Sequence, residues 1–206
     1  MDSISYKTIG EVLKSFQITY REDKFTDEIK FNVSDYFRQD LNLAMKYGVV
    51  NCSDFAVCEN LIYPVLKEVW KKYLDEFTLW NHHSLDYDEN PSGFLEYILA
   101  KRSPLGKVVF DQPYCISVQA KQDNFETSTA QCLAEIVDCQ RLNRESKTVI
   151  YGIVSNGIIW KFSKLVDDIF IQDVTPYSIY DLDKLFAVVN FIFQQCQLQL
   201  KALINA

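Results

Sequence analysis

The sequence predicts an α/β domain, one mixed sheet flanked by helices. Three observations carry this expectation. Segments near both ends and in the middle repeat apolar residues with the 3.6-residue period of helices. Between residues 76 and 121, extended segments follow one another with turn signals between them. The stretch TVIYGIVSN at 148–156 is a near-continuous apolar run, as in a central strand covered on both faces. With 206 residues, 48% of them hydrophobic and 14% aromatic, the chain can bury a sizeable core in a single domain. It shows no linker, internal repeat or low-complexity tract.

Taken in order, KTIGEVLKSFQ (7–17) and VSDYFRQDLNLAMKY (33–47) read as short amphipathic helices. The charged REDKFTDEIK between them reads as a loop or surface strand. In SDFAVCENLIYPVLKEVWKKY (53–73), Ser53 is an N-cap, and Phe55, Ile62, Leu66, Val69 and Tyr73 form a helical stripe. Pro64 predicts a kink within it. EFTLWNH (76–82) alternates like a strand, NPSG (90–93) is a turn, and FLEYILAK (94–101) is strand-like. After the turn SPLG (103–106), KVVF and YCISVQAK read as extended, separated by DQP. ETSTAQCLAEIVDCQRLN (126–143) is a helix with apolar residues at 130, 133, 136 and 137. GIIWKFSKL and IFIQDVT add strands at the sheet edge. Asp181 caps a long final helix, with Leu185, Val189, Ile192, Cys196 and Leu203 near one face.

Charge and motifs exclude several classes. The net charge is −7 and the pI about 4.9, so a nucleic-acid role needs a local basic face or a metal ion to offset repulsion. KRSPLGK at 101–107, with KKY at 71–73, is the best basic patch. The six cysteines contain no C-x-x-C pair, and no histidine stands at zinc spacing, so buried, reduced thiols are expected; Cys132 and Cys139, seven apart, share a helix face. MDSISYKTIGEV lacks a basic-then-apolar signal, and no apolar run approaches a membrane span, so a soluble cytoplasmic protein is expected. No nucleotide-binding glycine loop or serine-hydrolase elbow is present. His82 and His83, adjacent on a strand, point to opposite faces and read as ordinary strand-end residues.

The informative stretch is YCISVQAKQDNF (114–125). It reads as a buried strand that ends in Gln119 and Lys121, two apart and therefore on one face. Glu96 lies among apolar neighbours in the preceding strand. Glu59 falls on its helix stripe, between Phe55 and Ile62. A charge facing a core is costly unless it is paired or binds a cation. Three segments thus aim a polar or charged group at an apolar interior.

The arrangement resembles the PD-(D/E)XK nuclease superfamily, whose restriction-endonuclease-like core is a helix, three antiparallel strands, a helix and a fourth strand. Its signature is an acid on the second strand and Glu-x-Lys or Gln-x-Lys on the third, often with a further Glu on the first helix. By that resemblance Glu59 matches the helix acid, Glu96 the second-strand acid, and Gln119 with Lys121 the third-strand pair. Twenty-two residues separate Glu96 from Gln119. Gln131 matches a glutamine that some members place near the site. Asp111 is the alternative second-strand acid, separated from Gln119 by seven residues across a tight hairpin. The strand ending V-x-A-K and the Q-C-L-A-E helix also look like cyanobacterial members. Glu96 stands where Asp is usual, and Gln119 where Glu is commoner.

The resemblance covers residues 53–156 as a nuclease-like core. Residues 1–52 are then a helical N-terminal extension, and 157–206 supply edge strands and the C-terminal helix. It implies Mg²⁺ or Mn²⁺ held by Glu59, Glu96 and Gln119, Lys121 beside the attacking water, and a nucleic-acid partner, DNA ahead of RNA. A homodimer is a further expectation, because cutting both strands of a duplex takes two sites. The alternative keeps the fold and drops the chemistry, giving a non-catalytic nucleic-acid-binding or protein-interaction domain with a degenerate site.

Overall fold

Short polar side chains start the helices. Thr8 and Glu11 form a capping box on α1 (Ile9–Phe16). Ser34 accepts from Phe37 N at the start of α2 (Asp35–Tyr47), and Ser53 accepts from Ala56 N at α3 (Asp54–Val57). The computed structural model of the protein describes residues 6–84, 94–121, 124–143 and 148–204. The expected NPSG turn and most of the turn after Lys121 lie outside them.

The kink expected at Pro64 takes the form of a wider turn. After α3 comes a π-helical turn (Cys58–Ile62), then α4 (Tyr63–Trp70) with Pro64 in its first turn, then a 3₁₀ turn (Lys71–Tyr73). Proline has no N–H to give the carbonyl four residues back, and its ring crowds that carbonyl. Tyr63 N–H accordingly reaches Cys58 O, five residues back. The π turn takes up an extra residue, so the buried stripe continues N-terminally through Cys58 and Val57. The expected stripe is corrected there: Phe55 is 68% exposed, and Glu59 is also exposed.

The sheet contains β1 (Thr19–Asp23), β2 (Phe77–Ser84), β3 (Phe94–Arg102), β4 (Phe110–Ala120), β5 (Ile150–Ser155), β6 (Ile159–Val166), β7 (Ile169–Asp173) and the short β8 (Tyr177–Ser178). Its order is β1-β7-β6-β5-β4-β3-β2, with β8 beside β6. The pairs β1/β7 and β4/β5 are parallel and the others antiparallel. Two sequence expectations change. DQP does not separate two strands, because β4 runs through Pro113. The strands after residue 157 are not the edge, because β1 pairs outside β7.

Helix α5 (Phe125–Leu142) crosses over between β4 and β5, as a parallel pair requires. With α1 it covers one sheet face through Ala130, Leu133, Ile136, Ile98 and Val154. The other face is covered by α2, α4 and α6 (Leu182–Ile204), through Phe37, Leu66, Phe186 and Ile192 against Leu99, Val118 and Ile153. β5 is buried along its whole length between β4 and β6, as its apolar run predicts. Gly157, at φ +85 in the β5–β6 turn, lets the turn sit against the site helix; a Cβ there would stand 2.6 Å from Leu61 Cδ1. Among the described residues no helix is long and apolar enough to cross a membrane.

Candidate functional site at the β3–β4 edge

The antiparallel register of β3 and β4 pairs Tyr97 with Val118, the residues next to Glu96 and Gln119. Gln119 turns to the α5 face, its Nε2 donating to Glu135 on α5, whereas the Glu96 carboxylate meets Cys58 and His82. Lys121 follows β4, its backbone N–H bonded to Ser155 O at 3.1 Å. Glu96 is mostly buried, and that burial raises its carboxyl above the usual range. His82, the Cys58 thiol and Lys121 pull it back down, whereas Asp54 pushes it up. The fields of all these groups therefore meet at one carboxylate.

Glu59 joins by a different route from the one its sequence position suggests. It does not face the core; its side chain is 56% exposed. His82 lies between it and Glu96, with Nε2 3.6 Å from Glu59 Oε1 and Nδ1 3.4 Å from Glu96 Oε2. The neighbouring Cys58 Sγ donates to Glu96 Oε2 at 3.6 Å. Burial and the nearby Glu96 push that thiol up to about 12, so Cys58 serves as a hydrogen-bond donor and not as a thiolate nucleophile. His82 thus does more than the strand-end role expected of it. His83 faces Trp80 and Phe110, at ring separations of 5.1 and 4.4 Å.

The residue that sequence reasoning missed is Glu135. It is buried on α5, and it accepts from Ser117 Oγ at 2.7 Å as well as from Gln119. Burial pushes its carboxyl up to about 8; the two hydrogen bonds oppose this, and the charges of Glu96 and Asp138 add to it. The signal was present in the sequence. Glu135 sits in the apolar pattern Ala130, Leu133, Ile136, Val137, the same oddity that drew attention to Glu59.

Other candidates fall elsewhere. Asp111 lies on β4 itself, not on the strand before it. Eight residues of extended chain put it about 26 Å from Gln119, so it is no alternative to Glu96. Gln131 is half-buried one helical turn before Glu135. Residues 101–107 occupy the far end of the β3–β4 hairpin, where Arg102 donates to Leu74 O. Lys71 pairs with Glu68, and Lys72 donates to Asn190 Oδ1. The basic stretches are thus remote from Glu96.

No family model matches the chain, and no curated protein does.

The donor set decides whether a metal ion fits. Among the described residues no three or more His, Cys, Asp and Glu side chains are grouped to hold one. What the structure links is the Gln119 amide to the Glu135 carboxyl, whose ionisation the Glu96 charge opposes. Because Gln119 gives its N–H to Glu135, its carbonyl oxygen is the end turned away from that carboxyl. One or two carboxylates and a neutral oxygen, completed by water, suit a hard divalent cation such as Mg²⁺ or Mn²⁺.

Proposed function

We propose that the chain is a divalent-metal-dependent nuclease of the restriction-endonuclease-like kind, acting on nucleic-acid phosphodiesters, DNA ahead of RNA. The observation that carries this reading is the β3–β4 register, whose last pair, Tyr97 with Val118, stands next to Glu96 and Gln119, with Lys121 within the field of Glu96. The element order supports it: a helix, three antiparallel strands, a crossover helix, and a fourth strand parallel to the third.

Each residue then has a defined task. Glu96 and the Gln119 carbonyl hold the cation. Glu135 fixes the Gln119 amide and brings from α5 the carboxyl that Gln119 lacks. Lys121 offsets phosphate charge and orients the water that attacks phosphorus. The cation supplies Lewis-acid stabilisation of the phosphoryl oxygens and a water of lowered pKa. Glu59 reaches Glu96 only by way of His82 and stands outside this inner set.

The test is cleavage of single- and double-stranded DNA and RNA with Mg²⁺ or Mn²⁺, comparing wild type with Lys121→Ala. Metal-dependent cleavage that falls about 10²–10³-fold in the variant is expected. Equal cleavage by both proteins contradicts the reading. One observation favours a second reading, a binding domain without catalysis: Gln119 carries no charge and is engaged by Glu135. Under it, wild type cleaves none of these substrates.

A further inference from the structure

The row of residues that holds Gln119 continues across two further strands. Gln119 pairs with Val154 on β5, and Val154 pairs with Lys161 on β6. All three meet the α5 side of the sheet: Gln119 through Glu135, Val154 in the core beneath the helix, and Lys161 through Phe125, whose ring centroid lies 4.7 Å from its Nζ. Two strand spacings put Lys161 roughly 10 Å from Gln119, measured between backbones. Among the described residues no carboxylate forms an ion pair with this ammonium.

Beyond Lys161 opens a cavity of about 300 Å³, lined also by Glu22, Gln172, Asp173, Val174 and Pro176. Asp173 is tied into hydrogen bonds with Phe25, Thr26 and Thr175. Glu22 and Gln172 are not. They are partners in the parallel β1/β7 pair, so their side chains stand side by side. Tyr20 Oη lies 2.7 Å from Glu22 Oε1 and 3.3 Å from Gln172 Oε1. Its single proton serves the shorter contact, which leaves the second Glu22 oxygen and the Gln172 amide hydrogens for a ligand. Val174, 56% exposed, and Pro176 add an apolar wall.

We propose that this cavity holds a guanine nucleotide of the substrate strand, with the phosphate at Lys161, the base against Val174 and Pro176, and the edge of the base on Glu22 and Gln172. This rests on the nuclease reading above and gives it a base preference beside the scissile phosphate. A carboxylate only accepts hydrogen bonds, and an amide N–H only donates. Guanine offers the carboxylate two adjacent donors, the ring N1–H and the N2 amino group, and offers the amide its O6 acceptor. Adenine, cytosine and uracil each present one donor beside one acceptor, so they make one bond fewer, and the bond they lose is a charge-assisted one. The cavity lies at the lower end of the size range of ligand pockets, which suits a single nucleotide.

The test is calorimetric titration of the full chain with GMP, AMP, CMP and UMP, without metal, so that the cavity is read apart from the catalytic edge. Wild type is expected to bind GMP at least about tenfold tighter than the other three. Glu22→Gln keeps the shape of the side chain, removes its charge and is expected to erase that preference. Lys161→Gln is expected to weaken GMP about tenfold and to leave guanosine, which has no phosphate, unchanged. Neither side chain is buried, so both variants are expected to fold as wild type does. No GMP binding by wild type at millimolar concentration, equal binding of all four nucleotides, or a guanine preference that survives Glu22→Gln overturns the proposal. Failure of the nuclease reading shows separately, as cleavage that Lys121→Ala leaves unchanged while GMP binding persists.

Discussion

Two buried carboxyl groups, Asp173 and Glu135, divide the molecule into a finished region and an unfinished one. Asp173, at the end of β7, accepts from Phe25 N, Thr26 N, Thr26 Oγ1 and Thr175 N at 2.8–3.1 Å, with Lys24 Nζ 3.7 Å away. Four donors and a cation satisfy its oxygens, and the product is a clasp that fastens the loop after β1 to the sheet. Glu135 has Ser117 and Gln119, both neutral donors, and burial with the charges of Glu96 and Asp138 disfavours its ionisation. A carboxyl so placed does not serve stability first. The difference teaches where to look for function: the clasp closes on itself, whereas the β3–β4 edge holds buried carboxyl groups whose ionisation its surroundings oppose.

Substitutions can break or sharpen this contrast. The largest stability effect is expected at Asp173→Ala, which strands four donors and a lysine and lowers stability by about 3 kcal/mol, read by denaturant unfolding, with cation affinity unchanged. Next comes Glu135→Gln. The folded-state pKa of Glu135 is raised from 4.5 to about 8, so between those values the unfolded chain loses the proton and the folded chain keeps it. Wild-type stability therefore falls as pH rises through that window, by up to about 1.4 kcal/mol per pH unit from this one group. The variant lacks that fall, and parallel pH–stability curves for the two proteins would contradict the assignment. Glu96→Gln is expected to change stability by less than about 1 kcal/mol while cation affinity drops at least about tenfold. Smallest is Glu59→Gln, within about 0.5 kcal/mol of wild type on unfolding, because the side chain is largely solvated.

Much of the scaffold was legible. Ser53 as a cap, Asp181 before the last helix, and the apolar run of β5 each predicted what the fold contains, because caps and burial patterns are local. Glu96, Gln119 and Lys121 were also legible as polar residues set in apolar strands. The misreadings share one cause, namely that register depends on partners. A π turn at Pro64 rotated Glu59 out of the stripe. The bulged pairing of β3 with β4 kept Asp111 in the same strand as Gln119. The left-handed backbone at His82 undid the rule that adjacent strand residues face opposite ways. Glu135 needed only the burial argument already applied to Glu59, turned on the next helix.

The central claim is that the β3–β4 edge is a divalent-cation site built on Glu96. Calorimetric titration of Mg²⁺ and Mn²⁺ into wild type and Glu96→Gln, without nucleic acid, tests it most directly. The account predicts saturable binding by wild type that is lost in the variant while both proteins unfold alike. Equal binding by the two, or no binding by wild type at millimolar metal, would contradict it.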